Sequence, residues 1–246
     1  METKDLIPYI SNWIFDYSKN ILNQPVSLVI GVSGGIDSAV TSTLCAKTNL
    51  KTIVVSMPIK QNSQQHDLSI KHIEWLKKKF DNVSSFTIDL NKVFDSFKNT
   101  LKFFDSKLAF ANSRSRLRMV TLYQIAQSNN GLVVGTGNKV EDFGIGFYTK
   151  YGDGGVDISP IADCTKTQVW DIGKKLNILE EIIEAKPTDG LWDDNRNDEE
   201  QIGLSYEQIE DAMNNPNSKY YVKYDMIRKP NLHKMNPIPI CKIKDD

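Results

Sequence analysis

At 246 residues, 40% of them apolar and 25% charged, the chain has the make-up of a globular protein of one large or two small domains. A balance of 30 basic against 31 acidic side chains leaves a net charge of −1, which gives no footing for a general nucleic-acid or membrane-surface role. Three widely spaced cysteines, Cys45, Cys164 and Cys241, contain no CxxC pair and argue against a disulfide framework or a zinc knuckle. With no leader-like apolar stretch at the start and no run near ~20 apolar residues, the expected setting is the cytoplasm, away from membranes.

In chain order, Ile7, Ile10, Ile14, Tyr17 and Ile21 recur at helical spacing and predict an amphipathic helix over Leu6 to Leu22. Val26 to Ile30, bounded by Pro25 and Gly31, reads as a buried strand. Comparable runs at 52–57, 85–90 and 132–135 alternate with helical patterns at 37–48, 64–80 and a long stretch from Val93 to Ser128. The run Lys77-Lys78-Lys79 closes one of these patterns and reads as a solvated helix face. Short apolar strands alternating with helices predict an α/β fold, a doubly wound, mainly parallel sheet covered on both faces.

Beyond Gly135 the texture becomes irregular and rich in Gly and Asp. Helices are expected at Thr165–Leu176 and Leu179–Ala185, a polar mobile loop at Thr188–Gln201, and a helix opened by a Ser205/Gln208 capping box. No internal repeat or long linker divides the chain, so one domain over residues 1–246 is expected.

The first strand runs into Gly31-Val32-Ser33-Gly34-Gly35-Ile36-Asp37-Ser38 and then a helix. Adjacent glycines let backbone N–H groups approach an anion, the helix start adds positive potential, and two serines add hydroxyls. The loop is neither GxxxxGK[ST] nor GxGxxG. Asp37 would repel a bare phosphate, and makes sense if a divalent cation such as Mg²⁺ bridges it to phosphate oxygens. Ser33 to Ser38 resembles the SGGxDS loop of the N-type ATP pyrophosphatases, which cleave ATP between the α- and β-phosphates and adenylate an oxygen.

Downstream residues narrow the resemblance to the ammonia-dependent NAD synthetases. Gly135-Thr136-Gly137-Asn138-Lys139-Val140-Glu141 resembles a motif of that family, which implies an ATP contact at Thr136 and a metal ligand at Glu141 beside Asp37. Taken alone, Glu141 reads as a solvent-facing acid at a helix start. Phe147 to Asp157 resembles the family's FFTKYGDGGAD stretch and implies deamido-NAD contacts at Lys150 and Asp157. The segments ending at Lys166 and at Pro187-Thr188 imply ATP contacts at Lys166 and Thr188. Asn112 to Met119 resembles N-x-x-A-R-x-R-M, with Ser115 where alanine is usual. That match implies a deamido-NAD contact at Arg116, although Arg114, Arg116 and Arg118 read equally as a solvated face. His233-Lys234 resembles a pair that closes on the substrate, followed by Met235 where arginine is usual. His66 and His72 match nothing and read as surface or packing residues.

The resemblance implies amidation of deamido-NAD to NAD with ATP as co-substrate, through an adenylate, with release of AMP and pyrophosphate. It implies Mg²⁺ at Asp37 and Glu141, and a homodimer. None of the cysteines sits in a glutaminase-like motif, so free ammonia is the expected donor, unless a separate subunit supplies it. Asp153, in the substrate-matching loop without another role, is the candidate proton acceptor. Two rivals share the loop: a tRNA-modifying or GMP-forming enzyme, and a nucleotide-binding sensor. The first calls for a basic RNA-binding extension, and the second has no use for Glu141, Lys166 and Thr188.

Overall fold

A computed structural model of the protein describes residues 3–21, 27–60, 63–188 and 197–243. The chain opens with helix α1 (Thr3–Ile21), then strand β1 (Ser27–Gly31), α2 (Ile36–Lys47), β2 (Thr52–Ser56), α3 (Ser63–Lys79) and β3 (Val83–Thr87). Helices α4 (Asn91–Thr100) and α5 (Lys107–Ser128) lead to β4 (Gly131–Val133). The four strands form one sheet in the order β3-β2-β1-β4, and every pairing is parallel.

Alternation along the strands splits the apolar side chains between two faces. Leu28, Ile30 and Val54 enter a core with Ile10 and Ile14 of α1, much of α2, and Ile73 and Leu76 of α3. Val29, Ile53, Val55 and Val133 face Phe94 of α4 and Phe110 and Ala126 of α5. Helices therefore cover both faces, as the strand–helix alternation requires.

Two local expectations shift. The stretch 93–128 is two helices, because Ser106 starts α5 afresh by accepting from Ala109 N at 3.3 Å. Strand β3 lies two residues upstream of the expected start. It is the sheet edge, where Phe86 stays exposed, while Ile88 N and Leu90 N still donate to Ser56 O and Pro58 O. The expected strand start at Val26 lies outside the described residues.

Past β4 comes a π-helix, Lys139–Ile145, which the sequence did not announce. Then follow turns, α6 (Lys166–Lys175), and a single turn α7 (Glu180–Ile183). Of the polar stretch expected as a loop, residues 189–196 lie outside the described residues, and its end is helical: α8 (Asp198–Ile202). Asn197 Oδ1 accepts from Glu200 N at 2.8 Å and Glu200 answers with its carboxylate, a capping box that overrides the turn-rich composition. The Ser205/Gln208 box opens α9 (Tyr206–Asn214) as expected. Helix α10 (Tyr221–Arg228), a 3₁₀ turn (Lys229–Asn231) and α11 (Leu232–Met235) complete the chain. The π-helix, α9 and α10 share a third apolar cluster around Val140, Ile145, Ile209 and Tyr224. Among the described residues no helix is long and apolar enough to cross a membrane.

Candidate active site

The sheet order changes direction at β1, which runs to β2 on one side and borders β4 on the other. The loops leaving the carboxyl ends of β1 and β4 are neighbours at that switch point, where open α/β sheets bind ligands. From β1, Val32 N still bonds Val55 O, and the chain then turns through Gly34 at φ 93. That conformation favours glycine, and a Cβ there would also collide with the α3 backbone at Gln65 and Ser69. Ser33 and Ser38, expected as donors to a ligand, tie the loop itself. Ser38 Oγ donates to Gly35 O at 2.9 Å and lies 3.2 Å from Ser33 Oγ, while Ser33 Oγ accepts from Gly35 N. Gly35, at the N-cap, offers no side chain to the first-turn amides of α2, which have no carbonyl one turn back. The result is a loop tied by its own hydrogen bonds and followed by a helix start with positive potential.

Asp37 sits in that first turn, and Glu141 in the first turn of the π-helix. Lys166, only 1% exposed, lies between them: its Nζ is 2.6 Å from Asp37 Oδ2 and 2.9 Å from Glu141 Oε1. Burial alone would push the ammonium down, but two carboxylates hold it charged, above the ordinary lysine range. For Asp37, burial and the neighbouring Glu141 outweigh Lys166 and leave its carboxyl raised. Glu141 is buried as well, yet Lys166 and the Tyr206 hydroxyl, 2.6 Å from Oε1, hold it below the usual range.

One side chain joins these elements. Asn138, fully buried, caps the π-helix by accepting from Val140 N and Glu141 N at 3.0 and 3.1 Å, and its Nδ2 donates to Asp37 Oδ1 at 3.0 Å. Thr136 and Gly137 make the turn between the β4 end and this cap. A Cβ on Gly137 would overlap the Asp142 carboxylate, so glycine lets that acid pack against the turn. Burial, then Asp153, Glu141 and Asp37, hold Asp142 well above the usual carboxylate range.

A second group gathers around the loop 147–157. Helix α5 docks it: Thr149 Oγ1 donates to Asn112 Oδ1 at 2.8 Å, and Ser115 Oγ donates to Asp153 Oδ1 at 2.7 Å. The serine standing where alanine is usual thus supplies the anchor for Asp153, whose Oδ1 also accepts from Thr149 N at 3.0 Å. Burial raises the Asp153 carboxyl above its ordinary value. Arg116 Nε donates to Lys150 O at 3.3 Å, and Lys150 Nζ to His233 O at 3.1 Å. Lys234 Nζ donates to Gly146 O and Tyr148 O, while Arg228 donates to Phe143 O and Asn231 to Ile145 O. The chain's last helices thereby cap the carbonyl end of the π-helix.

Asp37, Glu141 and Lys166 therefore form one cluster, and Arg116, Lys150, His233 and Lys234 a linked second one. Asp157 belongs to neither by direct contact. Its oxygens accept from Tyr123 Oη at 3.1 Å and Val133 N at 2.8 Å, which pins the end of β4. Thr188 stands at the edge of the described segment before residue 189. The arginine row is not a uniform solvated face: Arg114 is buried over the Phe94 ring, and Arg118 Nε donates to Met57 O. His72 is a packing residue, fully buried and 3.0 Å from Ser42 Oγ through Nε2. Sequence reasoning missed Asn138, Asp142 and Tyr206. Asn138 lies within the 135–141 motif but nothing local marks its capping role, Asp142 carries no local signal, and the helical spacing of Tyr206 with Ile209 marks only a core position.

The two carboxylates, bridged here by the Lys166 ammonium, are donors of the type Mg²⁺ takes, one or two carboxylates with phosphate and water completing its shell. Among the described residues no group of three or more His, Cys, Asp or Glu could hold a metal by itself.

Residues 6–243 match the family model for NAD synthase. The NH(3)-dependent NAD(+) synthetase of Mesoplasma florum is 36% identical over 246 residues, 96% of each chain. The solved NMN synthetase from Francisella tularensis superposes with a TM-score of 0.90 at 31% identity, covering 99% of this chain and 100% of that one. An NH3-dependent NAD synthetase from Campylobacter jejuni, 23% identical, shares the fold with a TM-score of 0.79 over 98% of this chain and 100% of its own. By the near-complete family match and the identity to these relatives, the chain belongs to the NAD synthase family.

Proposed function

We propose that this carbon–nitrogen ligase amidates deamido-NAD to NAD with ATP and free ammonia, through an adenylated intermediate. The observation that carries the reading is the Asp37–Lys166–Glu141 cluster beside the glycine loop at the sheet switch point. A carboxylate is a poor acyl donor because oxide would have to leave. Its oxygen attacks the α-phosphorus of ATP, the α–β bridge breaks, and pyrophosphate departs. Ammonia then adds to the acyl carbon, AMP leaves, and the nitrogen loses a proton.

In that sequence the loop Gly31 to Ser38 shapes the phosphate cradle, with phosphate oxygens taken by the amides of Gly34 and of the α2 start, Ile36 to Ser38, and Thr136 and Thr188 as further ATP contacts. Asp37 and Glu141 would hold Mg²⁺, which would supply neutralisation of charge growing on the pyrophosphate. Lys166 adds a second positive charge at the same place, fixed in advance rather than gathered from solvent. Arg116, Lys150, His233 and Lys234 orient the dinucleotide. Asp157 contributes through the lone pairs that Tyr123 and Val133 leave over. Asp153 accepts the proton, a role favoured by burial that raises its basicity.

A second reading has one specific support, the relative at TM-score 0.90 named NMN synthetase. On that reading the acceptor is the nicotinate mononucleotide. Purified protein supplied with ATP, Mg²⁺, ammonium and either nucleotide distinguishes them, with AMP, pyrophosphate and the amide product quantified together. A higher kcat/KM for deamido-NAD is expected, the reverse order favours the mononucleotide, and no amide from either defeats the proposal. The enzyme also works in the cytoplasm and as a homodimer, the latter reading supported by the exposed apolar side chains Phe103, Phe104 and Leu108 around the α4–α5 turn. Light scattering after gel filtration tests it, and a monomer at assay concentration would refute it.

A further inference from the structure

Tyr206, the first residue of α9, is the largest of the fully buried side chains. Its backbone is fixed twice, by the Ser205 capping box before it and by its own N–H, which donates to Glu199 Oε1 at 3.0 Å. Trp170 packs edge-on against the ring, with centroids 5.8 Å apart. A buried phenol needs a partner for its hydroxyl. This one donates to Glu141 Oε1 at 2.6 Å, across 65 residues of sequence, and lies 3.2 Å from Asp198 Oδ2 of α8. The face of the same ring sits 4.8 Å below the Lys166 ammonium.

One side chain therefore touches two of the three charged members of the cluster by two different interactions. We infer that Tyr206 is a positioning residue for the metal and phosphate site: its hydroxyl fixes the Glu141 carboxylate, and its ring seats the Lys166 ammonium. The inference rests on the reading of Asp37 and Glu141 as metal acids. A carboxylate with one oxygen pinned presents a set direction to a cation. Without the hydroxyl, Oε1 is still held by the Lys166 ammonium at 2.9 Å, but the carboxylate has lost one of its anchors and each binding event must order it further. Hydroxyls that orient a metal-binding carboxylate are commonly worth about 10–100-fold in metal affinity. The apolar cluster of α9 explains why Tyr206 is large, but Phe would fill the space equally. The hydroxyl is the part that reaches the two acids, Glu141 at 2.6 Å and Asp198 at 3.2 Å.

The test uses Tyr206→Phe in the full chain and reads Mn²⁺ affinity by electron paramagnetic resonance, with a non-hydrolysable ATP analogue present. Ile209→Val, a small cavity in the same cluster away from the acids, is the control for destabilisation alone. Loss of the hydroxyl is expected to weaken Mn²⁺ about tenfold, with a matching rise in the Mg²⁺ concentration needed for half-maximal turnover and little change in kcat at saturating Mg²⁺. Ile209→Val is expected to lower Tm and leave Mn²⁺ affinity alone. The inference is overturned if Tyr206→Phe binds Mn²⁺ like the parent, if Ile209→Val weakens it equally, or if the parent binds none with nucleotide. Should the Mn²⁺ difference appear while the parent forms no amide from deamido-NAD, the positioning role stands and the substrate reading falls.

Discussion

Replacing Asn138 by alanine tests how the two acids are brought together. The side chain makes three hydrogen bonds, two as the cap of the π-helix and one to Asp37, and it is fully buried. A lost cap costs about 1 kcal/mol, and a lost hydrogen bond to a charged group about 1.5–3 kcal/mol. A loss near 3 kcal/mol corresponds to a fall in Tm of about 6–12 °C for a chain of this size. Asn138→Asp separates the two parts, because it keeps the capping oxygen and replaces the donor to Asp37 with a second carboxylate. An acid raised in the folded state by such a neighbour is destabilising once pH climbs above the ordinary carboxylate range, and the penalty fades on acidification. Thermal unfolding of parent, alanine and aspartate forms at pH 7.5 and 5 supplies the comparison. A loss under ~1 kcal/mol for alanine, or identical pH behaviour of the two variants, would refute the bridging role.

Other consequences follow from buried groups and close approaches. Burial holds His72 down to about 4 from 6.5, so the neutral ring belongs to the native state. Its contribution is complete above pH 6.5 and is lost as pH falls toward 4, an effect of about 3 kcal/mol at its limit. Urea midpoints should fall less steeply with acid in His72→Gln, and an unchanged slope counts against this. Gly34→Ala should abolish nucleotide binding by displacing α3 from the loop, and calorimetry with an ATP analogue at parent-like affinity would contradict it. Asp153→Asn is expected to slow turnover at neutral pH by about 10²-fold or more and to shift activity toward alkaline pH, where free ammonia is abundant. Parent-like rates at saturating ammonium would remove Asp153 from the proton path.

Much of this molecule is legible in the chain because its signals are local. Leu28 to Ile30 and Thr52 to Ser56 are short β-branched runs between turns, and the glycines, serines and Asp37 stand together where strand meets helix. The pieces that escaped are long-range. Asn138 meets Asp37 across 101 residues and Glu141 meets Tyr206 across 65, and nothing in the sequence near either partner advertises the other. Tyr206 falls at helical spacing with Ile209, so its pattern predicts a core residue, which is half of what it is. The π-helix was hidden because one extra residue per turn leaves no compositional trace. Asn197 and Glu200, by contrast, formed a readable capping box that the surrounding polar composition outvoted.

The most direct test of the account is pyrophosphate release by Asp37→Ala across a range of Mg²⁺ concentrations, with folding verified by circular dichroism. If a cation held against Asp37 and Glu141 draws off the charge that builds on the leaving group, release should drop by about 10³-fold, and added Mg²⁺ should not restore it. A variant that releases pyrophosphate at the parent rate, with the parent's Mg²⁺ dependence, would contradict the account.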